Sequence, residues 1–208
     1  FIFLIISSVS VNLFILITDN TNGLLPTIIS RCQHIKFTPP MKIEIEQQLI
    51  ERGEDPEKSR VLSYLINVNM ESILSADHHE LLEKRSNIFL VFQKLIRKRD
   101  IADVLLDLTH RSRSRDKFIR YFVELVNLMI ILLRDLMVLK IDRDSTAIIN
   151  IDYKKTLMDL AHQISIEKLL FLIKNMELLF RDISRNLNSK VLILEFIKNF
   201  TSPEEIHV

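Results

Sequence analysis

The sequence predicts a mainly α-helical protein that begins with a short α/β segment. β-like apolar runs occur only before Thr38-Pro39-Pro40, and beyond that point apolar residues recur at helical spacing. The chain has 208 residues, of which 48% are apolar and only 2 are glycine. Such a composition is typical of a folded helical protein with a sizeable core and excludes a disordered tail.

The first segment predicts a strand, a turn, a short helix and a second strand. Leu13–Thr18 is an apolar run, Asp19–Gly23 is a polar turn, and Gln33–Phe37 is another β-like run. Between the turn and the second run lies Leu24–Cys32, with the sequence LLPTIISRC. This order places Arg31 at the end of a helix of one or two turns, on the rim of an α/β domain.

The uncharged stretch Phe1–Thr18 is long enough to span a membrane. Serines and an asparagine interrupt it, β-branched residues dominate it, and no basic region or cleavage site marks a signal peptide. We therefore interpret it as one buried strand, or as two strands separated by the serines, and expect no membrane contact.

Two prolines end the α/β segment because neither can continue a strand or lie inside a helix. Met41–Arg52 then predicts an amphipathic helix that stops at Gly53. A second helix begins at Asp55-Pro56-Glu57 and extends to about Asn67. Met70–Ser75 predicts a third, short helix.

The remaining chain predicts a helical bundle. The expected helices cover residues 79–97, 99–110, 114–141, 152–163, 165–186 and 189–200. Tyr121–Lys140 is apolar around most of its circumference, which indicates a central helix surrounded by others. Asp142–Asn150 is the longest polar break, and we expect a flexible loop there.

The counts of charged residues, cysteine and glycine limit the binding sites and the activities that this chain can have. The 28 basic and 27 acidic residues nearly cancel, so nucleic acid could be bound only by a local patch. Cys32 is the single cysteine, which excludes an internal disulfide or a cysteine-based zinc site and suits a reducing compartment. Gly23 and Gly53 are too far apart to form a phosphate-binding loop, so we expect no ATP hydrolysis by this polypeptide.

One group of charged residues has the composition of a metal site. His78-His79 with Glu80 and Glu83 could suggest a metal cluster, but adjacent histidines point to different helix faces, so we expect no metal site.

Arg111, Arg113 and Arg115, followed by Lys117 and Arg120, form a candidate DNA or anion contact. A solvated loop between two helices is the alternative.

Residues Leu24–Cys32 resemble the Ser-Arg-Cys segment of the clamp-loader AAA+ ATPase subunits. The resemblance implies that Arg31 is an arginine finger, which reaches across a subunit interface to the γ-phosphate of ATP held by a neighbour. A guanidinium suits that role because it is permanently charged and planar. The alternative is a rim arginine that caps a helix or pairs with a carboxylate. Thr18 matches the sensor 1 position of the family, or it bonds only its own turn.

The resemblance implies three domains. Residues 1–38 would be the C-terminal remnant of the AAA+ nucleotide-binding domain, residues 39–77 a three-helix lid, and residues 78–208 a helical-bundle collar that oligomerises. In place of the sensor 2 arginine of many lids, this chain has Val68–Ser72. That departure favours a delta-prime type of subunit, which in some members donates an arginine without hydrolysing ATP, over the ATP-hydrolysing gamma/tau type.

The resemblance therefore implies a cytoplasmic clamp-loader subunit of the replicative DNA polymerase. Its partners would be homologous subunits through the collar, and the sliding clamp and primed DNA through the complex. No cofactor is expected in this chain, because ATP and magnesium would lie on a neighbouring subunit. The alternatives are the C-terminal part of a gamma/tau-like ATPase, or an unrelated helical scaffold or membrane-anchored protein.

Overall fold

The structure is a computed structural model that describes residues 2–6, 13–18, 23–35, 40–65, 78–184 and 188–201. It is mostly α-helical, which confirms the predicted fold class. The chain divides into two compact units, Phe1–Met41 and Lys42–Val208. The predicted domain limits at residues 38/39 and 77 stay predictions, since both fall at or beside stretches outside the described residues.

In the residues that the structure describes, the first unit has three strands and one short α-helix. They are β1 (Ile2–Ile6), β2 (Leu13–Ile17), α1 (Pro26–Ile29) and β3 (Cys32–Ile35). The strands predicted on either side of α1 are thus confirmed, and the uncharged N-terminal stretch contributes β1 and β2.

The three strands form one sheet in the order β2-β1-β3. Ile2 of β1 is paired with Ile17 of β2 and with Ile35 of β3, and both pairings are antiparallel. The two outer strands therefore run in the same direction, joined by a connection that contains α1.

The second unit begins with two short antiparallel helices, α2 (Lys42–Glu51) and α3 (Pro56–Leu65), which we call the α2–α3 hairpin. Gly53 has φ +94°, and its N–H donates to the Ile50 carbonyl at 2.9 Å, while the Glu54 N–H donates to the Leu49 carbonyl at 3.1 Å. This pair of bonds is a Schellman motif, so the predicted glycine stop is confirmed.

Asp55 caps α3, as the sequence predicts. Its carboxylate accepts hydrogen bonds from the backbone N–H groups of Glu57 and Lys58 at 3.0 and 3.1 Å. The hairpin encloses a small apolar cluster of its own, which contacts the start of the next helix; its members are Ile45, Leu49, Leu62, Leu81 and Leu82. The third helix predicted at residues 70–75 lies outside the described residues.

Within residues 78–184 and 188–201 there are six further helices, which form the bundle, and each lies within two residues of its predicted bounds. They are α4 (His78–Ile96), α5 (Ile101–Arg111), α6 (Arg115–Ile141), α7 (Lys154–His162), α8 (Ile166–Ser184) and α9 (Ser189–Thr201). A short 3-10 turn, Ile151–Tyr153, precedes α7. No helix in the described part of the chain is both long and apolar enough to cross a membrane.

Helix α6 is the central helix, as predicted, because it packs against α4, α7, α8 and α9. Four aromatic rings join its first half to α9. Phe122 lies 5.0 Å from Phe118 and 5.6 Å from Phe196, and Phe196 lies 5.4 Å from Phe200, measured between ring centroids. All four side chains are buried, so this aromatic cluster is part of the main core.

The connection Asp142–Tyr153 between α6 and α7, which we call the strap, differs from the flexible loop expected from its polarity. Ile148, Ile149 and Asn150 are all buried. The reason is a polar anchor inside the bundle, because the side chain of Asp135 on α6 is fully buried and bonds the strap backbone.

Helix α4 also ends in a Schellman motif, although no glycine stands there. The Lys98 N–H donates to the Leu95 carbonyl at 3.2 Å, and the Arg99 N–H donates to the Lys94 carbonyl at 2.9 Å. Lys98 therefore adopts φ 51° in the left-handed region, a conformation that glycine takes without steric cost.

Candidate functional site

Arg31 lies in the tight link between α1 and β3. Pro26 occupies the first turn of α1, where its fixed φ favours helix initiation. The three residues after Pro26 in this helix, Thr27, Ile28 and Ile29, are all β-branched. Because β-branched residues have low helix propensity, the helix stays short. Hydrogen bonds from Ser30 N–H to the Pro26 carbonyl at 2.9 Å and from Arg31 N–H to the Ile28 carbonyl at 3.1 Å close the turn. The backbone at Arg31 is therefore fixed by local bonds.

The Arg31 side chain is exposed. Among the residues that the structure describes, it makes no ion pair and no side-chain hydrogen bond. Neither of the alternative contacts, a helix cap or a carboxylate partner, is thus seen there. A guanidinium in this state keeps its permanent charge and its planar set of donors available to an external phosphate or carboxylate group.

Thr18 and Cys32 flank the same stretch. Thr18 directly follows β2 and is half-buried, and Cys32 opens β3 with a half-buried free thiol. As the first residue of β3, directly after the exposed Arg31, Cys32 keeps partial contact with solvent. The stretch from Thr18 to Arg31 links the two outer strands of the sheet.

At the start of α4, His78 contacts the preceding hairpin and His79 does not share that contact. The Nδ1 atom of His78 lies 2.7 Å from Oε1 of Glu54, which ties the α2–α3 hairpin to α4, while His79 is exposed. Within the described ranges, no group of three or more histidine, cysteine or carboxylate side chains could hold a metal ion.

The basic stretch at the α5–α6 junction is partly committed to internal contacts. The Nε atom of Arg111 donates to the Asp107 carboxylate at 2.8 Å, and its guanidinium lies 4.3 Å from the ring centroid of Tyr121. The hydrogen bond to Asp107 raises the pKa of Arg111, and burial raises the pKa of Tyr121. Arg113 and Arg115 are both exposed in the same junction.

The stretch Val68–Ser72, which stands where many lids have a sensor 2 arginine, lies outside the described residues. The polar turn Asp19–Gly23 is described only at Gly23, so the roles of its asparagines stay predictions.

Two comparisons with known proteins found similar sequences, and one of them matches the region of Arg31. A family model described as "DNA polymerase III, delta subunit" matches residues 10–41, which include both Thr18 and Arg31. A curated relative, the DNA polymerase III subunit delta' of Bacillus subtilis (strain 168), is 26% identical over 125 residues. That alignment covers 56% of this chain but only 38% of the relative.

No solved structure matches the chain. The family model includes the Ser-Arg-Cys segment, and the family model and the curated relative both show that the chain is similar to subunits of DNA polymerase III of the delta and delta' type.

Proposed function

We propose that this chain is a delta-prime-like subunit of the replicative clamp loader and donates Arg31 in trans to a nucleotide bound by a neighbouring subunit. The chain would assemble with homologous subunits through the bundle of α4–α9, acting as the collar. ATP and magnesium would be held by the neighbour, and the assembly would open the sliding clamp on primed DNA in the cytoplasm.

The observation that carries this proposal is the exposed guanidinium of Arg31, which has no partner among the described residues and lies inside the stretch that the family model matches. Charge builds up on the oxygens of a phosphoryl group during transfer, and a guanidinium from outside the nucleotide site can stabilise it. A finger must reach beyond its own subunit, and a short hydrogen-bonded turn that fixes the backbone while leaving the side chain in solvent meets that requirement.

The test is ATP hydrolysis by a reconstituted clamp loader that carries Arg31→Ala. Loss of an arginine finger typically lowers hydrolysis at the affected site by about 10³–10⁵-fold. We expect Arg31→Lys to restore little of this rate, because an ammonium lacks the planar fork of donors. In single-turnover measurements of ATP hydrolysis, the affected site should appear as a slow phase, separate from the faster sites of the ring.

Arg52→Ala is the matched control, since Arg52 is also an exposed arginine at the end of a short helix. Size-exclusion chromatography of each complex checks that assembly is intact. Unchanged turnover by an intact Arg31→Ala complex would remove the trans role, while loss of assembly would assign Arg31 to the interface instead.

We also propose that the α5–α6 junction contacts DNA through Arg113 and Arg115, with Arg111 as a fixed support. The support for this is the contact of the Arg111 guanidinium on α5 with the ring of Tyr121 on α6, 4.3 Å from its centroid, which joins the two helices while Arg113 and Arg115 are exposed. Replacing Arg113 by alanine should lower the slope of log affinity against log salt by about one unit for duplex DNA. An unchanged slope would mean that Arg113 does not contact DNA and that the junction is a solvated loop between two helices.

A further inference from the structure

On its inner side the strap is bonded to a buried carboxylate. Asp135 on the central helix is fully buried, and its carboxylate accepts from the backbone N–H groups of Ile149 at 3.0 Å and Asn150 at 2.8 Å. The Asn150 side-chain amide donates to the same carboxylate at 2.7 Å, and Arg134 donates at 3.0 Å. Because these donors share one acceptor group, the position of the strap depends on it.

A second anchor comes from α4. Arg85 is almost fully buried, and its Nε donates to the Asn150 side-chain oxygen at 2.9 Å. Its two terminal nitrogens donate to the Asp152 carboxylate at 2.9 and 2.6 Å. The guanidinium also lies 4.1 Å from the ring centroid of Tyr153, which itself stacks on Phe89 at 3.9 Å. The strap is therefore fixed to two helices of the bundle.

The outer side of the strap faces the α2–α3 hairpin. Arg60 of α3 donates from one terminal nitrogen to the backbone carbonyl of Thr146 at 2.8 Å, and its Nε lies 3.4 Å from the Glu46 carboxylate on α2. Arg60 therefore joins both helices of the hairpin to the strap. A cleft of about 190 Å³ lies beside this contact, with Tyr64 and the strap residues from Thr146 onward in its walls.

The apolar attachment of the hairpin is small by comparison. Among the described residues, the cluster of the hairpin has three fully buried members, and Leu81 and Leu82 of α4 pack against it, while Leu65 of α3 packs against the main core. The bond between His78 and Glu54 adds one polar contact at the same end. A short helical pair with so little apolar contact depends on its remaining contacts for a fixed position.

We propose that the strap couples the α2–α3 hairpin to the bundle, with Asp135 and Arg60 as positioning residues at its two sides. Asp135 fixes the strap to the central helix, and the strap then presents the Thr146 carbonyl to Arg60. Asp135 makes no bond to the hairpin itself among the described contacts, so its effect on the hairpin must pass through the strap. This inference does not depend on the proposed function.

Hydrogen exchange of backbone amides in the full chain tests this coupling. Asp135→Asn removes charge and acceptor capacity from the anchor, and we expect faster exchange both in the strap and in α3, by about tenfold or more. Arg60→Ala should speed exchange in the hairpin only and leave Ile149 and Asn150 protected. Asp103→Asn, a change at an exposed aspartate on α5, is the matched control and should alter neither region.

A merely local role for Asp135 predicts a different result, namely faster exchange in the strap with α3 unchanged, and that result would overturn the proposal. Unchanged exchange in the hairpin of Arg60→Ala would also overturn it. If Asp135→Asn does not fold, Asn150→Ala carries the same test, because it removes the amide that bridges Arg85 and Asp135 while keeping the backbone bonds. Protection of α3 that is unchanged in this variant refutes the coupling.

Discussion

Replacing Lys98 by glycine should stabilise this protein, although it removes a side chain. Lys98 ends α4 in a Schellman motif at φ 51°, where the Cβ atom of an L-residue is crowded by its own backbone. Gly53 performs the same task after α2 at φ +94° without that crowding. The chain therefore contains two versions of one motif, and they can be compared directly.

The magnitude follows from two opposing effects. The left-handed region costs an ordinary residue roughly 1–2 kcal/mol, and glycine avoids this cost. Glycine in turn loses more freedom on folding, which costs roughly 0.5–1 kcal/mol. The Lys98 side chain is exposed, so little packing is lost. We expect a net gain of about 0.5–1 kcal/mol in the free energy of unfolding for Lys98→Gly.

Urea denaturation followed by circular dichroism measures this difference. With a slope of roughly 1–3 kcal/mol per molar urea, the midpoint should rise by about 0.3 M. Lys98→Ala separates the backbone effect from the loss of charge, because alanine keeps the Cβ atom and should give no such gain.

Gly53→Ala is the reciprocal change. A Cβ atom at this position would meet nothing within 4 Å, so the only cost is the strain of the backbone conformation. That strain should lower the free energy of unfolding by about 1 kcal/mol. A Lys98→Gly midpoint at or below that of Lys98→Ala would refute the reasoning.

Three further changes have defined outcomes. Asp55→Ala should cost about 1 kcal/mol in urea denaturation, because it removes the cap of α3. Phe122→Ala should cost about 3–5 kcal/mol by the same measurement, because it empties the centre of the aromatic cluster. Burial raises the pKa of Tyr121 in the folded state, so folding favours the neutral phenol. The free energy of unfolding should therefore fall as the pH rises above about 10, the pKa of tyrosine in the unfolded chain. Urea denaturation between pH 9 and 11, within about a unit of that pKa, should show a smaller loss of stability with rising pH for Tyr121→Phe than for the unchanged protein.

The sequence was sufficient for the type and the limits of nearly every described element, because the signals were local. Apolar spacing marks α6 as central, and the Asp55 cap and the Gly53 stop lie within a few residues of the backbone they bond. The strand pairing was not predicted, since which strand lies between two others depends on contacts far apart along the chain.

The candidate site was predicted in part. The position and exposure of Arg31 follow from a short motif, whereas its role in trans depends on a partner that no single sequence describes. The network of Asp135 and Arg85 was missed, and the strap was interpreted as a flexible loop because its residues are polar. One signal was present: Asp135 stands on the apolar side of α6, between Leu132 and Leu139, where an unpaired carboxylate would be costly.

The aromatic cluster has a consequence for how the protein is made. Phe118 and Phe122 stand near the start of the central helix, but Phe196 and Phe200 belong to the last described helix. During synthesis, α6 leaves the ribosome long before its aromatic partners do, and its apolar surface stays open in the meantime. Nascent chains arrested before α9 should therefore recruit chaperones, and release from them should coincide with translation of α9.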